Sequence, residues 1–587
     1  IYLNGASDNE ILDNTVLSGP VGIEIWNGSS SNALTGNEIE GNHQGVLVGL
    51  NSTGTDIIGN VIRLGYEGIA LDSPGAKIYN NYLDNTVNVW LGPYAGANEW
   101  NTTRQPGDRI EDVAGVEIGG NYWKGPDPYS ENCTDAQADG FCDSPYTIGA
   151  SNVDALPLSD GYDFMEISAC PYSIGSAGNY GLSQDLETAG TCITVNASDV
   201  VLDCAGYTIR GTDGTGYGVV NSGFDNVTVV GCDVSGFDVG IFYTNPGYNG
   251  ADNGWIYGSQ LSSNRDGIKL YWCAGNDVVN NATSGNTGAG IALTWFSNGN
   301  TLSGNVADLN PSGLWIQDSS SNVIAGNDLS SNRFGAYLYS AYASNNQFSG
   351  NTIRSNTESG VRIDFSGNNS FANDVVSDNA LWDFTSGGMS VNTATDLTVG
   401  PNVLSFTGLD VSLKSVATGP TDPPGYRNIG RYVEAVGNSE SSWLNLDIRY
   451  LDVDVSAEMS ESTLRIWKNS GTWTDTGFFT ENGVDTAGNV VFADITSFGS
   501  LFAPLGYTGT CSDDTPLGQC SAQQPLYCSA TEGLIPLCQT CGCPSSLECI
   551  ADGTCVDASR PPRPRFQTQT PDPDSVFLDS ADPSGEE

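Results

Sequence analysis

The feature that most constrains this chain is a short internal repeat. Gly22, Gly45 and Gly68 recur every 23 residues, and each opens an apolar alternation such as Gly22-Ile23-Glu24-Ile25. Similar segments open at Gly267, Gly290, Gly313, Gly335 and Gly360. The alternation has period 2 rather than 3.6, and the repeat is too short for helical hairpins. Each repeat is therefore predicted to form one coil of short β-strands.

The residue types of the repeat fit a stack of such coils. Stacking at the spacing of hydrogen-bonded strands, about 4.8 Å, aligns Ile, Val and Leu into interior rows. We expect glycine to allow tight corners, and Asn305, Asn327, Asn351 and Asn373 to adopt a left-handed backbone and bond their counterparts one coil away. A leucine-rich repeat is the competing interpretation, but its L-x-x-L-x-L core with a helical return is missing.

The charge balance limits the partners. Twenty Lys and Arg residues against 69 Asp and Glu residues give a formal net charge of -49. A surface this acidic repels phosphate backbones and anionic lipid headgroups, so we expect neither nucleic acid nor a membrane surface as a partner. Solubility in salt, divalent cations and a basic partner all remain open. No apolar run is long enough for a transmembrane segment.

The cysteines predict an oxidising environment. Fifteen are present, and eight fall between Cys511 and Cys555, the density of a disulfide-rich module. Zinc is the alternative for Cys538, Cys541 and Cys543, but the other ligands are unevenly spaced and lack histidine. We expect the disulfides Cys133–Cys142, Cys170–Cys192 and Cys204–Cys232, and we expect Cys273 to be unpaired. The remaining eight cysteines are expected to pair among themselves: Cys511, Cys520, Cys528, Cys538, Cys541, Cys543, Cys549 and Cys555.

Sequons for N-linked glycans agree with export of the chain. They lie at Asn27, Asn51, Asn101, Asn132, Asn196, Asn226, Asn281 and Asn368. The sequence contains no signal peptide and starts at Ile1, so it is interpreted as processed or as a fragment. We expect an extracellular, cell-surface location.

Two stretches resemble a known family. Gly120-Asn121-Tyr122-Trp123, followed by the segment 139–148, is similar to the closing "GNYW … DGIGDTPY-I" segment of the NosD-like β-helix proteins of periplasms and archaeal surfaces. The segments 192–195 and 200–209 resemble the opening coil of a new array in archaeal members. The likeness covers about residues 1–395 and implies a right-handed parallel β-helix and an archaeal source, but no particular activity.

These patterns divide an all-β chain into five predicted domains. Two right-handed parallel β-helix arrays occupy residues 1–160 and 161–395, where the Gly and Asn repeat ends. Alternating segments such as Thr463 to Trp467 predict a small antiparallel β-sandwich over 396–507. The disulfide-rich module covers 508–558, and a Pro-rich, then acidic tail covers 559–587.

A search for catalytic patterns predicts no enzyme. Asn264-Arg265-Asp266-Gly267 resembles the polygalacturonase N-T-D-G motif, but that family's paired aspartate, Gly-His-Gly and Arg-x-Lys are absent. Asp266 is therefore interpreted as a corner residue. His43 is the single histidine, so a His-rich metal site or a usual serine triad is excluded. We interpret it as a solvent-facing coil residue.

Two binding features remain. Asp135, Asp139 and Asp143 offer oxygen ligands in a Gly-containing loop, which makes calcium the one candidate ion, with no other cofactor expected. A disulfide between the flanking Cys133 and Cys142 is the alternative staple. Separately, Trp272, Trp295 and Trp315 are predicted to form a sugar-stacking ledge if they share one outer face, with core packing as the alternative.

The leading functional hypothesis is a glycosylated structural protein, a subunit of a cell-surface filament or surface layer. Ile1-Tyr2-Leu3 aligns with a coil strand, so an uncapped edge is expected to accept a neighbouring subunit, and Val576-Phe577-Leu578 of the tail to dock there. A carbohydrate-binding or carbohydrate-processing surface protein is the alternative, and an adhesin is the third hypothesis.

Overall fold

The computed structural model describes residues 1–556 except 111–112, 114, 246, 248–249, 457, 510, 512, 514, 516–518, 530–532 and 546. The predicted tail, including Val576-Phe577-Leu578, lies outside the described residues. Contacts group the chain into unit 1, which comprises Ile1–Asp422, Asn428–Asp454 and Arg465–Leu505, and unit 2, which comprises Pro423–Arg427, Val455–Leu464 and the described residues from Gly506. Five domains stay a prediction. No helix within the described ranges is long and apolar enough to cross a membrane.

The first array consists of parallel strands stacked into three sheets, which we call faces A, B and C. Face A contains Tyr2–Asn4, Val21–Trp26, Gln44–Val48, Glu67–Leu71 and Val87–Leu91. Face B contains Glu10–Leu12, Ala33–Thr35, Asp56–Ile58 and Lys77–Tyr79. Face C contains Thr15–Leu17, Glu38–Glu40, Val61–Arg63, Tyr82–Asp84 and Tyr122–Gly125. The predicted parallel β-helix is confirmed.

An irregular segment separates the arrays. It contains the antiparallel pairs Gln105–Pro106 with Glu117–Ile118 and Tyr146–Gly149 with Asn152–Asp154, and the short helix Tyr129–Asn132. The disulfide Cys133–Cys142 lies within it, as predicted.

The second array repeats the same three faces over more coils. Face A contains Tyr172–Ile174, Ile193–Val195, Tyr217–Ser222, Val239–Thr244, Asp266–Tyr271, Ala289–Thr294, Ser312–Gln317, Phe334–Tyr339, Ser359–Asp364 and Trp382–Gly387. Face B contains Met165–Ile167, Gly178–Leu182, Val200–Asp203, Val227–Val230, Trp255–Tyr257, Asp277–Val279, Thr301–Ser303, Val323–Ala325, Gln347–Ser349 and Ser370–Ala372. Face C contains Leu186–Thr188, Thr208–Gly211, Asp233–Ser235, Gln260–Ser262, Ala282–Ser284, Val306–Asp308, Thr352–Arg354 and Val375–Ser377. The predicted disulfides Cys170–Cys192 and Cys204–Cys232 join its early coils, and Cys273 is free and buried.

Interior side chains of successive coils form rows, as the alternation predicts. Ile23, Val46 and Ile69 are register partners on face A, and all three are fully buried. Burying one such side chain contributes roughly 1.5–3 kcal/mol. Because one coil exposes its row to the next, the stack rather than the coil is the stable unit.

Buried asparagines form a ladder along the second array. The Nδ2 of Asn281 donates to Oδ1 of Asn305 at 3.1 Å, Asn305 donates to Asn327 at 2.9 Å, and Asn327 donates to Asn351 at 3.0 Å. Each of these amides also donates to a backbone carbonyl one coil away. This confirms the predicted bonding between counterparts.

The fourth predicted ladder residue is wrong by one position. Asn373 has φ +56°, and the carboxylate of the next residue, Asp374, accepts the Asn351 amide at 2.8 Å. The left-handed backbone therefore belongs to the residue before each ladder position, such as Gly326 before Asn327. Sequence reasoning merged two neighbouring positions into one.

The glycines that open the face A strands are required for a reason other than the predicted one. A Cβ on Gly22 would lie 2.6 Å from the carbonyl oxygen of Gly45, and one on Gly267 would lie 2.6 Å from that of Gly290. Neither Gly22 nor Gly267 has a left-handed φ. Close approach of the next coil, rather than a tight corner, excludes a side chain here.

The antiparallel strands that follow continue the sheets of the second array. Val391–Val399, Asn402–Leu409, Trp443–Arg449, Phe479–Asp485 and Val490–Ile495 extend face B, and Val411–Val416, Tyr432–Gly437, Ser500–Tyr507, Arg465–Asn469 and Trp473–Thr474 extend face A. Tyr426–Asn428 is a further short strand, and Asp452–Asp454 is a 3₁₀ helix. Phe384 on one sheet meets Phe406 on the other at 5.0 Å between ring centroids. The antiparallel strands of the predicted sandwich thus extend the solenoid sheets.

Unit 2 contains the cysteine-rich module. Its pairs are Cys511–Cys528, Cys520–Cys541, Cys538–Cys549 and Cys543–Cys555. The elements of unit 2 are the 3₁₀ helix Glu461–Thr463, the helix Cys538–Cys541 and the strands Leu526–Ser529, Gly533–Pro536, Glu548–Cys549 and Cys555–Val556. The sulfurs of Cys538, Cys543 and Cys549 lie within 4.8 Å of one another, but each is in a disulfide, which favours the disulfide prediction over zinc.

Candidate functional site

A cleft of about 550 Å³ lies between the irregular segment and face B of the second array. One wall carries Arg104, Glu117, Gln137 and Asp139. The opposite wall is lined by Ala177, Gly178, Asn179, Asp199, Val201, Asn226, Thr228, Asn253 and Trp255. The two walls are joined where the Nδ2 of Asn179 donates to the carbonyl oxygen of Ala138 at 3.0 Å.

Arg104 organises the first wall. Its Nε donates to Oε2 of Glu117 at 2.5 Å, and its Nη1 donates to Oδ2 of Asp139 at 2.5 Å. Burial is the largest influence on the pKa of Arg104 and lowers it, but Glu117 and Asp139 together outweigh burial and raise it. The guanidinium is therefore a fixed cation that neutralises one of two carboxylates.

Arg109 lies behind this group and fixes the loop. It donates from Nε to the Glu117 carbonyl at 2.6 Å and from Nη1 to the Gly140 carbonyl at 2.8 Å. Burial lowers the pKa of Arg109 to about 10. The Phe141 ring lies 4.7 Å from the guanidinium carbons of both Arg104 and Arg109, so cation–π contacts add to the packing.

The second wall is built by three successive coils. Asp199, Asn226 and Asn253 occupy left-handed corners just before face B, with φ of +58°, +55° and +57°. The Nδ2 of Asn226 donates to Oδ1 of Asp199 at 2.8 Å. Trp255 begins the face B strand that follows Asn253, and its indole lines the cleft with these polar groups. The cleft thus combines carboxylates, amides and one aromatic side chain.

The predicted calcium ligands do not converge. Asp135 accepts the backbone N–H groups of Asp139 and Gly140, Asp143 accepts that of Ala136, and Asp139 accepts Arg104. Across the part of the chain that the structure describes, no three acidic side chains bring their oxygens within 4.8 Å. The loop instead uses these carboxylates to fold, with its disulfide as the staple.

The other residues singled out from the sequence lie away from the cleft. Asp266 begins a face A strand rather than a corner, and its Oδ2 lies 3.4 Å from Arg265 and 3.8 Å from Lys269. His43 stacks on Tyr66 with 5.1 Å between ring centroids. Asp266 is thus an ion-paired strand residue.

The predicted tryptophan ledge is only partly formed. Trp272 and Trp295 lie at the corner that follows face A, whereas Trp315 lies within a face A strand and packs against Tyr337 at 5.6 Å. Trp315 therefore does not join the other two. Phe296, which sequence reasoning missed, contacts Trp272 at 4.8 Å.

One predicted glycosylation site conflicts with the fold. Asn281 is 1% exposed, and its Nδ2 donates to the Ile256 carbonyl at 2.8 Å and to Asn305. The sequons at Asn27, Asn51, Asn101, Asn132, Asn196, Asn226 and Asn368 are exposed or half-buried and stay predictions.

We therefore expect glycopeptide mass spectrometry of native protein to find Asn281 unmodified, because a glycan would remove a ladder amide from the interior. Occupancy at exposed sequons such as Asn27 and Asn51 is the internal control. Full occupancy at Asn281 in folded protein would contradict the ladder.

The cleft residues were missed because no repeat marks them. Arg104, Arg109 and Glu117 lie where the 23-residue repeat is interrupted, between the last face A strand of the first array and Tyr122–Gly125. Two arginines close together in a chain of 20 basic residues were the available signal.

Comparison with known proteins identifies the family. The model of the family described as "Periplasmic copper-binding protein (NosD)" matches residues 1–128 and 192–380, more than half of the chain. The chain belongs to the NosD family. The predicted resemblance is thereby confirmed, whereas the archaeal source stays a prediction. The family description places NosD in the periplasm, and no curated protein matches the sequence.

Solved structures similar to this NosD-family chain are carbohydrate-active enzymes. The Azotobacter vinelandii mannuronan C-5 epimerase AlgE6 A-module has TM-score 0.33 and 16% identity, over 40% of this chain and 75% of that one. The periplasmic alginate epimerase AlgG, as a mutant, has TM-score 0.30 and 13% identity, over 63% and 77%. The DFA-IIIase from Arthrobacter chlorophenolicus A6 has TM-score 0.26 and 14% identity, over 37% and 70%.

These matches correct one prediction from the sequence. The prediction that the chain is not an enzyme is wrong as drawn, because the similar solved structures are enzymes. The missing polygalacturonase motifs exclude one enzyme family, but they do not exclude the other reactions that enzymes with this fold catalyse. TM-scores this low assign no activity to this chain.

Proposed function

We propose that this NosD-family protein works outside the cytoplasm and binds carbohydrate in the cleft. The observation that supports the proposal best is Trp255 on a wall of planar polar groups, opposite the Arg104, Glu117 and Asp139 cluster. Sugars present apolar ring faces and many hydroxyl groups, so they fit an aromatic side chain flanked by fixed donors and acceptors. The seven disulfides favour an oxidising compartment.

The charges of the cleft and of the whole chain limit the class of sugar that the cleft can bind. One guanidinium faces Glu117 and Asp139, and Asp199 adds a further carboxylate on the other wall. The whole chain carries a net charge of -49. Anionic polysaccharides would therefore be repelled, so we infer a neutral or amino-sugar ligand.

Copper, the metal in the family's description, does not fit the donor set of this chain. Copper sites use imidazole, thiolate and thioether ligands. The chain has one histidine and three methionines, and fourteen of its fifteen cysteines are in disulfides. His43 stacks on Tyr66, and the free thiol of Cys273 is fully buried. We derive no function from copper.

Filament assembly and cell-surface display stay predictions. The proposed contacts rest on the edge of the first coil and on the tail, and the tail lies outside the described residues. All residues that line the proposed carbohydrate cleft are described, whereas only one of the two surfaces in the proposed assembly contact is.

The test is titration calorimetry with defined oligosaccharides. Neutral cellohexaose, mannohexaose and chitohexaose and cationic chitosan hexamer are compared with anionic mannuronate hexamer. The protein is made in a host without N-glycosylation, because Asn226 lines the cleft. We expect Trp255→Ala to weaken binding about tenfold, which corresponds to about 1.4 kcal/mol.

Two further variants make the result specific. Glu117→Gln keeps the shape of the cleft and should also weaken binding, while Trp90→Ala removes a tryptophan that is 41% exposed outside the cleft and should have no effect. Wild-type protein that binds none of these sugars, or binding unchanged in both cleft variants, would refute the proposed function.

A further inference from the structure

A second surface of the second array carries a row of aromatic side chains. We call Trp272, Trp295, Phe296, Tyr342 and Phe365 the aromatic strip; they lie at the corner that follows face A. Trp295 is 45% exposed, Phe296 37%, Tyr342 62% and Phe365 56%. Trp272 contacts Phe296 at 4.8 Å, and Phe296 contacts Tyr342 at 5.6 Å between ring centroids. The strip therefore spans five coils, of which the coil of Asp318 contributes no ring.

The backbone of the strip is unfavourable for these residues. Trp272, Trp295, Phe296 and Phe365 have φ of +62°, +52°, +59° and +64°. Bulky side chains rarely adopt this left-handed conformation, which Gly, Asn and Asp adopt at lower cost.

Other coils have residues with a lower conformational cost at the same corner. In the second array, Asp318 and Ser340 take the left-handed position, and in the first array Asn27 and Asn51 do so. Fold stability alone would favour such residues throughout. Strained residues that persist on a surface point to a binding role.

Geometry and charge indicate the ligand. Neighbouring rings of the strip lie 4.8 Å and 5.6 Å apart between centroids, so an extended chain that runs along the solenoid can contact several of them. Gln317 and Asp364, which are both half-buried, end their face A strands just before this corner. The acidic surface disfavours nucleic acid and anionic lipid.

We propose that the aromatic strip binds an uncharged polysaccharide chain that lies along the solenoid axis, with sugar faces stacked on successive rings. This site is separate from the cleft, and it rests on the proposed function only in sharing its ligand class. The strip holds a polymer across several coils, whereas the cleft takes a short segment.

The experiment is affinity electrophoresis in native gels that contain soluble glucomannan, galactomannan or xyloglucan. The strongly negative chain migrates in such gels, and binding retards it. We expect the double variant Phe296→Asn/Phe365→Asn to bind at least about tenfold more weakly. Its melting temperature should not fall, because asparagine relieves the backbone at both corners. Tyr94→Asn, at a residue 63% exposed in the first array, is the matched control and should bind as wild type does.

Calorimetry on the same variants separates the two sites. Loss of polymer binding with hexaose binding retained supports the strip. Hexaose binding by wild type with polymer binding equal in wild type and double variant overturns the strip and leaves the cleft intact. A lower melting temperature with unchanged polymer binding assigns the rings a packing role and also overturns the strip. Loss of self-association instead of polymer binding, measured by sedimentation, identifies a contact between copies and overturns it as well.

Discussion

Replacing Asp374 with asparagine is expected to stabilise the protein by about 3 kcal/mol at pH 7.5. Asp374 occupies an asparagine-ladder position, is fully buried, and its Oδ2 has no hydrogen-bond partner among the residues that the structure describes. Burial raises the pKa of Asp374 from 3.8 to about 6, against the hydrogen bonds from Asn351 and Ala372 that lower it. The difference between these two pKa values corresponds to about 3 kcal/mol.

The effect has a defined pH dependence. The folded-state pKa lies above the unfolded value, so the folded protein binds this proton more tightly. The contribution of Asp374 to stability is full below about pH 4 and is lost as the pH rises through about 6. An asparagine is uncharged, so its burial carries no cost of desolvating a charge. Its Nδ2 can also donate a hydrogen bond, as that of Asn351 does to the Ile324 carbonyl at 2.8 Å.

Chemical unfolding at pH 4 and at pH 7.5 checks this expectation. Asp374→Asn should exceed wild type at pH 7.5 and nearly match it at pH 4. Asn351→Asp places a second carboxylate beside that of Asp374 and removes the amide that donates to it, so it should destabilise strongly at pH 7.5 and less at pH 4. An Asp374→Asn protein no more stable than wild type at pH 7.5 would show that the carboxylate is better accommodated than its contacts indicate.

Replacing Gly267 with alanine should destabilise the protein by about 3 kcal/mol, at the upper end of the usual cost of overpacking. The new Cβ would lie 2.6 Å from the Gly290 carbonyl oxygen and 3.2 Å from Asn286 Nδ2 and Thr283 Cγ2. The carbonyl belongs to the next coil, so relief requires separating two coils of a parallel sheet. The φ of Gly267 is not left-handed, so backbone strain does not contribute.

Gly175→Ala is the matched control. A Cβ at Gly175 would meet no atom of the described residues within 4 Å, and the φ of Gly175 is also outside the left-handed region. Alanine there should be neutral, or stabilising by about 0.4–1 kcal/mol through a less flexible unfolded chain. Equal unfolding midpoints for the two alanine variants would rule out coil contact as the reason for glycine at Gly267.

The sequence by itself determined the solenoid. The repeat from Gly22 to Gly68 and the alternation at Ile23 and Ile25 specified coils, register and interior rows, because these depend on contacts between a coil and its immediate neighbour. The same logic predicted the pair Cys204–Cys232 and the bonding of Asn305 to Asn327. Periodic patterns report contacts that recur at a fixed separation along the chain.

The tertiary structure decided the candidate site, which no repeat marks. Arg104 meets Asp139 across 35 positions of irregular chain, and both face Trp255 on another array. The close approach at Gly267, the displacement of the ladder from Asn373 to Asp374 and the absence of Trp315 from the aromatic strip also required coordinates. The packing of the irregular segment against face B depends on the shapes of whole surfaces, and the spacing of residues along the chain does not indicate which surfaces meet.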